Sequence, residues 1–247
     1  MYRTLFAGAT ALLLAGSLPA AACTVVHELS YRLSGNDYSI AMNGVFLSRE
    51  DGGNGGRSLM IYLVPGENTV TVTQHDPNGT AELQIMKGCE GTFDRQGPFD
   101  TATISGEGSA TLTFTNESDF KSVQNRASAE GQDGLMDAVK ELQAAVEAKD
   151  VETVIALHAP MIEDAAKMGM PVEQLQGMYT FLFDEGVPDM KSDLTITEAL
   201  DGRVFVVTTA DGQPPVSVYA AAEGIRWHSG VHWGKVDGKW GVLNLYQ

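Results

Sequence analysis

The chain has 247 residues, room for one or two domains with cores of their own. With 43% hydrophobic and 19% charged residues its composition is globular rather than disordered. Lys and Arg number 16 against 32 Asp and Glu, a formal charge of -16; such a surface repels phosphate backbones and anionic headgroups and weighs strongly against general nucleic-acid binding.

Met1 to Ala22 reads as an export signal: Arg3 as the charged start, an apolar run from Leu5 to Leu14, then Pro19 and an Ala-x-Ala cleavage site at Ala20-Ala21-Ala22. The run is shorter than the roughly 20 apolar residues of a membrane-spanning helix, and Gly8, Gly16 and Pro19 break up the segment. The mature chain is therefore expected to begin between Ala21 and Cys23, to carry no transmembrane segment, and to sit in the bacterial periplasm. Cys23 has two readings. Ala20-Ala21-Ala22-Cys23 resembles the bacterial lipoprotein signal except at its first position, where Ala replaces the usual Leu. A lipid anchor there would make the chain an outer-membrane lipoprotein. The other reading is a disulfide with Cys89, the only other cysteine, in an oxidising compartment. The disulfide is preferred, because a strand follows Cys23 almost at once where a lipoprotein has a tether. Closing that long loop stabilises a fold by about 4 kcal/mol in chain-entropy terms.

Val25, His27, Leu29, Tyr31 and Leu33 alternate with Val26, Glu28, Ser30 and Arg32, the period of a half-buried strand. A Gly-rich run, Gly52-Gly53-Asn54-Gly55-Gly56, reads as a flexible hairpin tip. Before it, Tyr38 to Met42 and Val45 to Leu47 flank Asn43-Gly44, a hairpin signal because both central residues must accept positive φ. Leu59 to Val64 reads as a strand ended by Pro65-Gly66, which suits a type II turn. Thr69 to Thr73 and Thr80 to Met86 flank the turn Asp76-Pro77-Asn78-Gly79, and after a loop Thr111 to Thr115 closes the set. Residues 23–116 are thus predicted to form an antiparallel β-sandwich. Tyr62 to Val72, centred on Pro65-Gly66-Glu67-Asn68, resembles a hairpin common in immunoglobulin-like and jelly-roll modules; it implies a sandwich and no ligand.

Residues 117–133 turn polar, a predicted linker. Beyond it the period is helical. Leu135, Ala138, Val139, Leu142, Ala145 and Val146 form one stripe, with Asp133 as its cap. Asp150 caps a second helix from Val151 to His158, and Pro160 opens a third, stopped by Gly169. Pro171 opens a fourth, Val172 to Asp184, with Leu175, Met178, Tyr179 and Leu182 inward and Gly186 at its end. Strands then return at Leu194 to Ala199, Arg203 to Thr209, Val216 to Ala221, Ile225 to Lys235 and Lys239 to Leu245, with Asp-Gly turns between several of them. Helices followed by a meander sheet make residues 134–247 an α+β domain.

Leu142 to Asp150, leading into a short helix, and Gly234 to Leu243 give this half its family look. It resembles the cystatin-like, nuclear-transport-factor-two-like superfamily, which implies a sheet curled around a helix into a cup. Members include isomerases, dehydratases and non-catalytic binding modules, so the resemblance brings over no catalytic residue. Three short helices before the first strand depart from the usual order of that superfamily.

The densest constellation is Trp227-His228-Ser229-Gly230-Val231-His232-Trp233. On a single strand Trp227, Ser229, Val231 and Trp233 share one face and become candidate ligand-binding residues of the cup. His228 and His232 share the other face as candidate acid/base groups titrating near neutral pH. The plainer alternative is core tryptophans beside two surface histidines. About 13 Å apart on a strand, the two imidazoles do not share a metal. His158, Asp164 and Asp184 are further acid–base pieces, but no spacing brings them together, and no residue is assigned a catalytic role. Nucleophile, phosphate-loop and dinucleotide motifs are absent, and no cofactor or metal is expected.

The expected function is that of an exported periplasmic binding protein without catalytic activity, its partner an envelope protein or a small apolar ligand held in the cup. One alternative is an isomerase- or hydrolase-like enzyme using His228 or His232 with a carboxylate. Another is an acidic immunity or inhibitor protein whose target is basic.

Overall fold

The computed structural model describes residues 25–60, 63–89, 95–117, 122–167, 171–220 and 224–244. The predicted signal segment and Cys23 lie outside the described residues. The first alternating run is β1 (Val25–Ser34), followed by β2 (Tyr38–Met42), β3 (Val45–Glu50), β4 (Gly53–Ser58), β5 (Gly66–Gln74), β6 (Thr80–Cys89), β7 (Arg95–Ser105) and β8 (Gly108–Asn116). They make two four-stranded antiparallel sheets, ordered β4-β1-β6-β7 and β3-β2-β5-β8. Between them lie Leu29, Ile40, Leu47, Val72, Leu83 and Leu112, all buried. The Asn43-Gly44 hairpin has the expected left-handed pair, φ 51° and 79°. Asn68 ties the Pro65-Gly66 turn: its Nδ2 donates to the carbonyls of Val64 and Gly66, and its Oδ1 accepts the Val64 N–H.

Three features of this half differ from the sequence expectation. The Gly-rich run is a strand, β4, not a loose tip. Its glycines lie under side chains of β1: a Cβ on Gly55 would stand 2.7 Å from the Tyr31 hydroxyl, and one on Gly56 2.4 Å from a Glu28 carboxylate oxygen. β7 occupies the expected loop; most of its residues are exposed, so it carries no apolar alternation. Leu59, Met60 and Leu63 are buried, but the described residues there form no strand.

Four helices follow: α1 (Leu135–Glu147), α2 (Val151–Leu157), α3 (Ala159–Lys167) and α4 (Val172–Glu185). The six residues of the predicted stripe are the buried residues of α1. Asp150 caps α2 by accepting the Thr153 N–H, whereas α1 starts at a left-handed Gly134 with no side-chain cap from Asp133. The strands are β9 (Val187–Met190), β10 (Leu194–Ala199), β11 (Val204–Thr209), β12 (Val216–Ala220), β13 (Ile225–Ser229), β14 (His232–Val236) and β15 (Lys239–Asn244). They form a sheet β10-β11-β14-β15 and a smaller one β13-β12-β9. The single strand expected over residues 225–235 is therefore two. At Gly230, φ 77°, the chain turns from one sheet into the other.

The larger of these sheets is covered on both faces. Along β11, Phe205 and Val207 pack into the helical core, while Val204 and Val206 join the core of the sandwich. Val242 and Leu243 divide the same way, as do Trp233 and Val231. A strand buried on both sides reads as a continuous apolar run, which is how Val204-Phe205-Val206-Val207 is written. The described part of the predicted linker is packed between the halves. The Val123 N–H donates to the Asp164 carboxylate, Asn125 Nδ2 to the Leu63 carbonyl at 2.9 Å, and the Ser128 N–H to the Lys235 carbonyl at 2.9 Å. Among the described residues no helix is long and apolar enough to cross a membrane.

Candidate functional site

The corner between β13 and β14 scatters the candidate residues over different surroundings. Trp227 is 5% exposed and packs among His158, Tyr179 and Phe183, with ring centroids 5.8, 5.7 and 5.7 Å away. Trp233 is fully buried, its Nε1–H donating to the Gly230 carbonyl at 2.6 Å. Val231 belongs to the other core, against the sandwich. His228 and His232 lie in different sheets. His228 is half-buried and hydrogen-bonded to Ser217 Oγ at 2.7 Å; burial, with Arg226 nearby, lowers its pKa. His232 is buried and donates from Nε2 to the Phe46 carbonyl of β3 at 2.6 Å, and burial pushes its pKa down to about 4.

Ser229 meets a residue that spacing did not pair with it. The Nδ1–H of His158 donates to the Val154 carbonyl one turn earlier, at 2.7 Å. The neutral ring is left with a lone pair on Nε2, which accepts the Ser229 hydroxyl at 2.6 Å. That is the polarity of a serine activated by a base. Both side chains are 0% exposed, however, and burial takes the His158 pKa to about 4. The bond pins α2 to β13 inside the core. Its partners are 71 residues apart, joined by topology and by no local motif. Cys89, at the end of β6, is disulfide-bonded.

An open concavity lies elsewhere. Between α1, α2, α3 and the β14–β15 hairpin is a cleft of about 820 Å³, within the usual size range of ligand sites. Leu157, Pro160, Val236 and Trp240 give it apolar walls, and Asp137, Glu141, Glu163 and Asp237 supply carboxylates. Asp137 and Glu141 stand one turn apart on α1. The Asp237-Gly238 turn, φ 52° and 75°, forms the tip of the facing hairpin. Gly241 lets the start of α3 close on β15: a Cβ there would stand 2.6 Å from the Pro160 ring. Trp240 is fixed on several sides. Its Nε1–H donates to the Asp133 carbonyl at 2.9 Å, Lys235 lies over its ring at 5.2 Å, and Phe205 meets it in a T at 5.5 Å.

No family model, curated protein or solved structure matches this chain. The cleft is read from its own chemistry. Among the described residues no three His, Cys, Asp or Glu side chains are grouped as metal ligands. Trp240 belongs to the hairpin motif noticed in the sequence, but the residues that give it a role, Asp137 and Pro160, belong to distant helices. The i, i+4 pair Asp137 and Glu141, on the polar side of a strongly striped helix, is a further sequence signal for this site.

Proposed function

We propose that this chain is an exported protein of the bacterial envelope that acts by binding another protein, with the cleft beside Trp240 as its contact site. One observation carries the reading: the cleft is open and lined by a fixed indole and carboxylates, while the serine–histidine pair is enclosed in the core with no exposed surface. Recognition groups face solvent and the nucleophile does not. The small-ligand version is less favoured, since Trp227 and Trp233 are packed among core side chains instead of facing solvent. The Ala-x-Ala segment and the bonded state of Cys89 support an oxidising compartment. The reading includes a Cys23–Cys89 disulfide, because the sequence holds no third cysteine, and this leaves no thiol at Cys23 for a lipid.

The test is site-specific photo-crosslinking in cells that export the protein by its own signal. A photoreactive residue at Ala156, exposed in the cleft, is expected to give a discrete protein adduct. The same residue at Tyr219, exposed on the smaller sheet, is expected to give none. An adduct from Tyr219 alone, or from neither position, overturns the contact site.

A further inference from the structure

Resting on that contact site, we infer that the occupant of the cleft is a basic segment of a partner protein, carrying lysine or arginine side chains whose apolar stems lie along Pro160, Leu157 and Trp240. Four carboxylates line the cleft with the ammonium of Lys239, and a second ammonium, that of Lys235, lies over the Trp240 ring. Of the four, Glu163 is held by Arg126 at 2.9 Å. Asp137, Glu141 and Asp237 make no ion pair among the described residues. They stand on opposite banks, two on α1 and one at the hairpin tip, so a chain lying in the cleft passes between negative charges.

The walls narrow the class of occupant. A bare divalent cation needs convergent oxygens, and these carboxylates are not grouped as metal ligands. Phosphate-bearing polymers and anionic membranes are repelled. Lysine and arginine bury aliphatic stems on apolar surface while keeping the charge at a polar rim, which is the arrangement on offer. Trp240, locked by Asp133, Lys235 and Phe205, needs no ordering when a chain packs against it, so little rotamer freedom is lost there on binding.

Trp240 also supplies the readout. Of the three tryptophans it alone is not buried, so a change in emission on binding reports this wall. The probe is a fluorescein-labelled peptide alternating arginine and alanine, with a glutamate–alanine peptide and spermine as comparators. Emission is followed without the label; affinity is measured by anisotropy with it. The arginine peptide is expected to bind and shift Trp240 emission, the glutamate peptide not. Affinity should fall about tenfold when salt is raised from about 0.05 to about 0.3 M. The triple variant Asp137→Asn, Glu141→Gln, Asp237→Asn should weaken binding by about tenfold or more. The control Asp51→Asn, Glu107→Gln, Asp193→Asn removes the same net charge outside the cleft and should change it less than about twofold. Equal loss in both triples would show only bulk attraction and overturn the inference. So would spermine binding as tightly as the peptide, which makes the occupant a small cation. If the arginine peptide does not bind while the Ala156 crosslink forms, the partner chemistry is wrong and the contact site stands. If neither occurs, both fall.

Discussion

His158 and His232 are held neutral inside the folded chain. Each is enclosed, each donates one ring N–H to a backbone carbonyl, and burial takes each pKa from 6.5 to about 4. The unfolded chain protonates both at the ordinary value, so between pH 6.5 and 4 it binds protons that the folded chain does not. Their contribution is therefore present in full above about pH 7 and is lost as pH falls through that window, by about 3 kcal/mol for each group at its lower end. Urea midpoints measured at about pH 7.5, 6 and 5 are expected to decline in that order, with the steeper drop below 6. A midpoint unchanged down to pH 5 would contradict the burial of both rings. The serine partnered with His158 follows the same logic: it is fully buried and stabilises the neutral tautomer.

At the scale of elements, helix ends give a sharp contrast. Asp150 accepts both the N–H and the hydroxyl of Thr153, while Asp133 makes no capping bond to α1. Asp150→Ala should cost about 1 kcal/mol, and Asp133→Ala only a few tenths at about the noise of the measurement. Thermal melts of the two variants side by side check this, and equal losses would mean that α1 is capped after all. The contrast also shows what the sequence makes legible. The stripe of α1 is visible because a helix on a core repeats its apolar residues locally. Asn43-Gly44 is visible because its backbone angles demand those residues. β7 is invisible because it is mostly exposed, and β4 because its glycines answer to Tyr31 and Glu28 on another strand. Trp227, Ser229 and Trp233 are legible as one apolar face only if the strand runs straight, and the corner at Gly230 is a tertiary decision, made where Leu142 and Pro215 pack close. The cleft is the least legible feature, since its banks come from helices and a hairpin far apart in the chain.

At the scale of the molecule, the sheet β10-β11-β14-β15 is a shared middle layer, with the helices on one face and the sandwich on the other. The halves are therefore expected to unfold together. All three tryptophans lie at 227, 233 and 240, beyond the sandwich in sequence. Leu47→Ala, in β3 of the sandwich, should still lower the midpoint seen by tryptophan emission, by about 2–5 kcal/mol of stability, in step with far-UV circular dichroism. A tryptophan transition indifferent to Leu47 would mean two independent units.

His232 and Trp233 are neighbours in sequence, yet one reaches to the Phe46 carbonyl and the other into the helical core. The ladder to β15 shifts register between them, with His232 opposite Asn244 and Trp233 opposite Val242. Slippage of β14 by a single position would put the indole where the imidazole sits, or the imidazole where the indole sits, depending on its direction. The two side chains act as a phase lock on the strand. Asp237, in the turn directly after that strand, takes its place above the cleft from a register set on the opposite side of the sheet.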